Sequence, residues 1–166
     1  MTTKPKTLAT PKTAKAKCLC GAVTLEIDVP ARWAFHDHGK AARLTHGAAY
    51  ATYVGSWRKR FRILKGEDDI SQFENGKAGI TRSFCGTCGT PLFYETARSP
   101  HMVNIPRALF ESRTGREPRY HLRIGEQQDW AYTGAELKPL KGFPGVMFER
   151  PKKKKPKNPA DFPDEF

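Results

Sequence analysis

The sequence predicts an all-β fold that is mainly antiparallel and contains minimal helix. Many short segments alternate apolar and polar residues and are separated by turn residues, which is typical of antiparallel sheets. No segment carries the long apolar repeat at three- and four-residue spacing that marks an amphipathic helix. The four cysteines come as two close pairs, Cys18 with Cys20 and Cys85 with Cys88, and such pairs can tie distant strands together.

The first half of the domain predicts two long strands around a polar segment. Residues 22–29 alternate cleanly, with their apolar members on one face, and this strand ends at Pro30. Residues 33–44 are polar and contain two histidines, and they predict a loop with a helical turn. Residues 47–57 are small or aromatic and predict the next strand.

The second half of the domain predicts a series of shorter strands. The Asn75-Gly76 dipeptide is a strong signal for a tight hairpin between two of them. Residues 107–110 predict a single helical turn. The strands are predicted at residues 60–64, 70–74, 79–84, 91–95, 102–106 and 120–124.

The 166 residues fit one folded domain, and the net charge of +12 lies mostly in the two ends. Residues 1–17 contain five lysines, no acid and few apolar side chains, so we expect a disordered basic tail there. Residues 149–166 are rich in lysine and proline, first basic and then acidic. The folded domain is therefore predicted to span residues 18–148.

The sequence predicts a soluble, cytoplasmic protein with no membrane partner. No apolar run reaches the roughly 18 residues that a transmembrane helix needs. The first seventeen residues lack the apolar core of a signal peptide. Their basic, threonine-rich composition leaves a transit peptide as the weaker alternative, because all the charges are lysines and the segment has almost no apolar face.

The two cysteine pairs predict one closed metal site. A C-x-C and a C-x-x-C segment that meet in the fold supply four thiolates, the ligand set of a tetrahedral structural zinc ion with Zn–S bonds of about 2.3 Å. The alternatives are disulfides, which need an oxidising compartment, and a redox C-x-x-C, which would lie in a βαβ unit rather than between strands. We expect one structural Zn²⁺ on Cys18, Cys20, Cys85 and Cys88.

The order of these features resembles the glutathione-dependent formaldehyde-activating (GFA) family, whose domain is shared with centromere protein V. The resemblance rests on residues 18–23 (CLCGAV), 47–52 (GAAYAT) and 83–93 (SFCGTCGTPLF). It implies a β fold related to the Mss4-like zinc proteins and a structural zinc on the four cysteines. It also implies carbon–sulfur lyase activity of the S-hydroxymethylglutathione synthase type, with glutathione or another small thiol adduct as the ligand.

The sequence departs from the family at the second zinc site. Family members hold that zinc with three cysteines in a C-x-C-x-x-C segment, and the equivalent positions here are Asp37, Gly39 and Ala42. Glycine and alanine offer no ligand atom, so the family's second site is predicted to be lost and the activity impaired or altered.

A substitute metal site is the remaining enzymatic hypothesis. Imidazole and carboxylate side chains bind zinc with an open position in hydrolytic sites, and four such residues lie near the lost site. Neighbouring residues of an extended segment point to opposite faces, however, so two of the histidines would converge while the aspartate points away. The alternative is that these are polar loop residues without a metal. The tentative ligands are His36, Asp37, His38 and His46.

The second function hypothesis is a non-catalytic structural or interaction protein. Its basic tails would contact nucleic acid or another acidic partner, because dense lysine runs such as residues 150–157 release counterions from phosphates. Residues 58–62 (RKRFR) add a basic segment with an aromatic side chain, although an ordinary strand with one wet face has the same pattern. No sequence-specific recognition motif is present, so only non-specific binding is expected.

Overall fold

The computed structural model of this chain describes residues 12–131, 137–139, 141 and 147–149. The chain divides into two compact units, Met1–Asp129 and Trp130–Phe166. Most of the basic N-terminal tail and the lysine-rich run after residue 149 lie outside the described residues.

The fold is all-β, as the sequence predicts. One α-helix, α1, covers Lys40–His46, and short 3-10 turns cover Arg58–Arg60, Glu67–Asp69, Arg107–Leu109 and Ile124–Glu126. The described part of the chain contains no helix long and apolar enough to cross a membrane. The strands are β1 Thr13–Lys17, β2 Thr24–Asp28, β3 Trp33–Asp37, β4 Ala51–Trp57, β5 Phe61–Lys65, β6 Ile70–Asn75, β7 Ile80–Cys85, β8 Pro91–Thr96, β9 Met102–Pro106, β10 Tyr120–Leu122, β11 Leu137–Pro139 and β12 Met147–Glu149.

Two sheets build the first unit. A seven-stranded sheet has the order β10-β3-β4-β9-β8-β7-β6, and a three-stranded sheet has the order β1-β2-β5. All pairs are antiparallel except β10 with β3, which run parallel. The predicted hairpin at Asn75-Gly76 is confirmed, because β6 and β7 pair from Ile70↔Cys85 to Asn75↔Ile80. In the second unit, β11 and β12 form an antiparallel hairpin.

The core lies between the two sheets, and a second cluster covers part of the other face of the large sheet. The main cluster joins small-sheet residues such as Leu25 and Ile27 to large-sheet residues such as Val54 and Ile105. The second cluster contains Phe35, Ala42, Ala51 and Tyr53, so α1 packs on that face. The residues of β3 and β4 therefore divide between two buried faces.

The folded unit begins earlier than the predicted boundary at residue 18. Strand β1 already occupies Thr13–Lys17 and pairs along its length with β2. Its inward side chains are Ala14 and Ala16, which are almost fully buried. Their methyl groups are too small to give the apolar alternation that marks a strand in a sequence, so this segment has the composition of a tail.

The segment predicted at residues 33–44 as a loop with a helical turn is strand β3 followed by helix α1. The helical turn is therefore confirmed, and the loop is wrong for residues 33–37. Ala34 and Phe35 are adjacent and both buried, because β3 has a covered surface on each side. A strand that is buried on both faces shows no alternation of apolar and polar residues, and the polar residues that follow β3 made the segment look like a loop. Helix α1 ends at Gly47, which takes the left-handed conformation with φ 58°.

Candidate functional site

The four cysteines meet at one point. Cys18 follows β1 and Cys20 lies in the next turn, while Cys85 ends β7 and Cys88 lies in the turn before β8. Their sulfur atoms all lie within 4.8 Å of one another. The Cys18–Cys20 and Cys20–Cys85 sulfur distances are 3.5 Å and 3.8 Å. Tetrahedral metal–thiolate bonds of about 2.3 Å would separate the sulfurs by about 3.8 Å, so the arrangement fits one metal ion.

The sulfurs are arranged as a metal site and not as disulfides. All four cysteines are free, and the sulfur distances far exceed the roughly 2.0 Å of a disulfide bond. The Val23 backbone N–H donates to Cys18 Sγ over 3.2 Å, which stabilises a thiolate there. A metal ion held by all four cysteines would have no open coordination position for a substrate.

The turns around the cysteines bring the two pairs together. The Leu19 backbone N–H donates to the Thr90 hydroxyl over 3.2 Å, and the same hydroxyl lies 3.1 Å from Cys88 Sγ. Gly89 has φ 71°, a conformation that most residues avoid, and its backbone N–H donates to the Cys85 carbonyl over 2.8 Å. Thr90 therefore links the C-x-C turn to the C-x-x-C turn directly.

His36 on β3 and His38, which directly follows that strand (together called the β3 histidines), meet a third histidine, His121. Strand β10 pairs with β3 so that His121 stands opposite His36. His38 Nε2 and His121 Nδ1 are 2.9 Å apart, and the His36 and His121 rings are 4.9 Å apart. His36 Nδ1 also hydrogen-bonds the Thr52 hydroxyl over 2.9 Å, and Tyr50 packs against both β3 histidines.

Asp37 points to the opposite face and is engaged there. Its carboxylate is 2% exposed. One oxygen accepts the Gly39 backbone N–H over 2.9 Å, and the other pairs with the Arg123 guanidinium. A Cβ atom at position 39 would collide with the Arg123 side chain, so the guanidinium lies in the space beside the Gly39 backbone.

Arg123 reaches this position through an unusual backbone conformation. Its φ is 54°, the only positive φ of a non-glycine residue in the described part of the chain. Such values are uncommon for residues with a Cβ and are maintained where surrounding contacts compensate for them. Here the ion pair to Asp37 supplies one such contact.

His46 lies on the Asp37 side of the sheet and not with the other two histidines. It closes α1, and its Nε2 is 2.8 Å from the Tyr53 hydroxyl. The four tentative ligands are thus divided: His36 and His38 share one face, while Asp37 and His46 lie on the other. Among the described residues, the four cysteines form the only group of three or more potential ligands whose donor atoms come together.

Burial keeps these histidines in the neutral form near neutral pH. It lowers the pKa of His36 and of His38, and the neighbouring His121 lowers both further. Burial also lowers the pKa of His46, with a further contribution from the positive charge of Arg82. Neutral imidazoles can share hydrogen bonds as donor and acceptor, which matches the short His38–His121 contact.

A cavity of about 350 Å³ opens beside the His46–Tyr53 pair. Its walls are mainly aromatic and include Phe73, Phe93 and Tyr94. Arg82 supplies its positive charge, with the guanidinium 5.2 Å from the centre of the Tyr94 ring. The cavity therefore suits a small ligand with an apolar body and an anionic group.

Comparison with known sequences identifies the family. Residues 13–126 match the family described as glutathione-dependent formaldehyde-activating enzyme, a range that covers more than half of the chain. The chain belongs to this family. The match begins at β1, so the GFA domain includes the strand that composition alone assigns to the tail.

A solved structure shares the fold of this GFA domain. It is the crystal structure of a Rhodobacter sphaeroides protein, a structural-genomics target, with a TM-score of 0.52 and 21% sequence identity. The similar region covers 60% of this chain and 89% of that one. No curated protein sequence matches the chain.

Several residues at the site of the GFA domain were not predicted from the sequence. His121 lies on β10 and Arg123 directly follows it. Strand β10 pairs in parallel with β3, and the paired residues His121 and His36 are 85 positions apart in the sequence. Tyr53 and Arg82 line the cavity from β4 and β7. In the sequence they look like ordinary strand residues, so only the arrangement of the strands identifies them as cavity residues.

Proposed function

We propose that this chain is a GFA domain with one structural zinc ion, that it lacks the family's second zinc site, and that it serves as a binding domain. In this account the carbon–sulfur lyase chemistry of the S-hydroxymethylglutathione synthase type is absent. The observation that carries the proposal is the Asp37–Arg123 ion pair, which lies where the resemblance predicts the second zinc.

Zinc is the ion that best suits the four-cysteine centre. Four thiolates at tetrahedral distances favour Zn²⁺ over cations that prefer oxygen ligands. The ligands come from the ends of β1 and β7 and from two turns, so the ion would fix the small sheet to the large one. Its role is then to stabilise the fold, because no coordination position is left for a substrate.

The residues at the second position do not fit a metal ion. Gly39 and Ala42 have no ligand atoms, and Ala42 is buried in the cluster with Phe35 and Tyr53. Asp37 already accepts two donors, one of them cationic. The guanidinium of Arg123 supplies a permanent positive charge beside Asp37 and occupies the space next to Gly39. A second cation there would have to displace that charge.

The aromatic cavity supports a second candidate function, the binding of glutathione or another small thiol adduct. Arg82 could hold a ligand carboxylate, since a guanidinium pairs with carboxylates through two parallel hydrogen bonds. The His46–Tyr53 pair would offer a neutral polar contact beside it. This candidate keeps the ligand class that the family resemblance implies but requires no metal-dependent step.

An exchange measurement tests the loss of activity. Formaldehyde and glutathione form S-hydroxymethylglutathione without a catalyst, and NMR exchange spectroscopy reports the interconversion rate. We expect the zinc-loaded full chain to leave that rate at the uncatalysed value, because nothing in the described site activates the thiol. Acceleration that is proportional to the concentration of wild-type protein would contradict the proposal, whether or not folded Cys85→Ser protein also shows it.

A further inference from the structure

We propose that a cleft between residues 32–34 and residues 113–120 binds single-stranded nucleic acid without sequence specificity. This inference gives a partner class to the binding role proposed above and rests on that role. The cleft has a volume of about 690 Å³. The features that carry it are four arginines that form no ion pair with a described residue, two exposed aromatic rings and a rigidly anchored loop.

The cleft concentrates positive charge. Its lining contains four exposed arginines and one acidic residue, Glu117. Among the described residues, none of the four arginines forms an ion pair. Arg116 uses its Nε–H to bind the Ala31 carbonyl over 3.2 Å, which leaves its terminal N–H groups available. The arginines are Arg32, Arg113, Arg116 and Arg119.

In the basic segment at residues 58–62, by contrast, all three arginines form ion pairs. Arg58 pairs with Glu95, and Arg60 pairs with Asp28. Arg62 pairs with both Glu26 and Asp28. The three arginines of this segment are thus each paired with a carboxylate, whereas the four arginines of the cleft form no ion pair with a described residue.

Trp33 offers a flat surface for a base. Its side chain is 36% exposed, and the ring centre lies 4.9 Å from that of Phe35. The indole also lies against the backbone of Gly55, where any side chain would collide with it. The ring is therefore held in place while about a third of the residue stays exposed, and a fixed aromatic ring stacks with an unpaired base at little entropic cost.

Tyr120 provides a second ring in the same cleft. It is 61% exposed and stands opposite Phe35 in the parallel pairing of β10 with β3. Paired residues of neighbouring strands point to the same face, so Tyr120 and Trp33 lie on one side of the sheet. Arginines between two aromatic rings match a strand of alternating phosphates and unstacked bases.

The loop that carries three of the arginines is anchored. The Ala31 backbone N–H donates to the Thr114 carbonyl over 2.9 Å, and Thr114 is 1% exposed. Gly115 has φ 75°, and a Cβ atom there would lie 2.9 Å from atoms of both Val29 and Pro30. This close packing holds the loop against the start of β3, so binding need not order it first.

The partner is better described as single-stranded nucleic acid than as duplex or acidic protein. A duplex hides its base faces, so the two rings would contribute nothing to binding it. An acidic peptide offers carboxylates but no planar groups to stack on Trp33. Phosphates alone would use the arginines and leave the rings unused.

Fluorescence anisotropy with the full zinc-loaded chain and a labelled 12-nucleotide oligo(dT) tests the inference. The cleft variant Arg113→Gln/Arg119→Gln should bind at least about tenfold more weakly than wild type. Its plot of log affinity against log salt should also be shallower by about 1.4, since each lost phosphate contact on single strands lowers the slope by about 0.7. The matched control Lys77→Gln/Arg98→Gln removes the same charge from exposed positions outside the cleft and should bind nearly as the wild type does.

The variant Trp33→Leu tests the aromatic contribution at unchanged charge. It should weaken binding by about tenfold and leave the salt slope unchanged, because base stacking is not an ionic contact. The inference fails if the cleft variant binds like its control, if Trp33→Leu has no effect, or if a duplex of equal length binds as tightly as oligo(dT). Zinc content is measured on each variant and should not change, so failure here leaves the one-zinc proposal standing.

Discussion

Arg123 is the residue on which the proposed loss of the second zinc site mainly depends. It places a fixed positive charge on the buried carboxylate of Asp37, in the position where the family resemblance predicts a metal cation. Unlike a metal, this cation cannot be removed by a chelator or displaced by a thiol. In the proposed account, the pair keeps a positive charge at this position but supplies none of the chemistry of a metal ion.

Removing Arg123 should destabilise the fold more than removing both members of the pair. Arg123→Ala leaves the Asp37 carboxylate buried without its cation, and we expect the free energy of unfolding to fall by about 1–3 kcal/mol. The lower part of that range applies if water reaches the carboxylate, since the arginine side chain is itself 49% exposed. Urea denaturation measures the change.

The double variant Asp37→Asn/Arg123→Ala is the matched control. It removes the unpaired charge and should be more stable than Arg123→Ala alone. Equal losses in the single and double variants would show that the arginine contributes through packing and not through the carboxylate.

The histidines of β3 predict a stability that depends on pH. Burial, with the help of His121, holds the pKa of His36 and His38 below the ordinary value of 6.5. The unfolded chain therefore binds protons more readily than the folded chain as the pH falls below about 6.5, so the free energy of unfolding should decrease there. Above that pH the contribution is fully present.

Urea denaturation at pH 7.5 and at pH 5.5 measures this effect. The variant His38→Gln should show a smaller difference between the two pH values than the wild type, because it removes one of the perturbed groups. Zinc content has to be determined at both pH values, since acid also releases metal from thiolates. An unchanged difference in His38→Gln would rule out this histidine as a source.

Strands β1 and β7 bring the two cysteine pairs together, and they differ in how far the sequence predicts them. Strand β7 follows an Asn-Gly hairpin and precedes a C-x-x-C turn, so local signals define it. Strand β1 buries only alanines, so although it pairs with the next strand, β2, its own sequence has the composition of a tail. The clustering of the four cysteines was nonetheless predictable, because the spacing of each pair is visible without the strands in between.

The rest of the site could not be predicted, because it depends on the order in which the strands pair and no local sequence pattern gives that order. Strand β3 is buried on both faces and shows no alternation, and β10 consists of three residues. Their parallel pairing positions His121 beside His36 and brings Arg123 to Asp37. The sequence predicted that His36 and His38 converge and that Asp37 points away, because that follows from strand geometry alone.

Cysteine substitutions test the role of the four-sulfur centre in joining these strands. Cys85 is buried and Cys20 is exposed, yet both belong to the same centre. Cys20→Ser and Cys85→Ser should each lower the melting temperature strongly, because loss of a ligand weakens metal binding that contributes to folding free energy.

Because Cys20 is exposed, the Cys20→Ser substitution distinguishes loss of metal binding from loss of packing. Without a metal, replacing an exposed cysteine by serine would change the free energy of unfolding by no more than about 0.5 kcal/mol. A strong effect of Cys20→Ser that disappears when both proteins are compared after chelation would establish the metal contribution. Wild-type behaviour of Cys20→Ser would exclude it from the centre.

Considered as a whole, the molecule joins a β domain that contains a four-cysteine cluster to a strong excess of positive charge. Of the net charge of +12, most comes from the ends of the chain, and the described domain adds the arginine cleft. Positive charge spread in this way favours association with polyanions and steers it over distances of about a Debye length. The cavity beside His46 and the cleft beside Trp33 are separate sites, so a small ligand and a nucleic acid could be bound together.

The amount of zinc in the purified full chain tests the central claim most directly. Mass-spectrometric metal analysis after exposure to excess Zn²⁺ and removal of loosely bound ions should give about one zinc per chain, because the described residues provide one complete ligand set. Cys85→Ser should then retain none. Two zinc ions per chain in the wild type, one of them still present in Cys85→Ser, would contradict the account and locate a second metal site outside the cysteines.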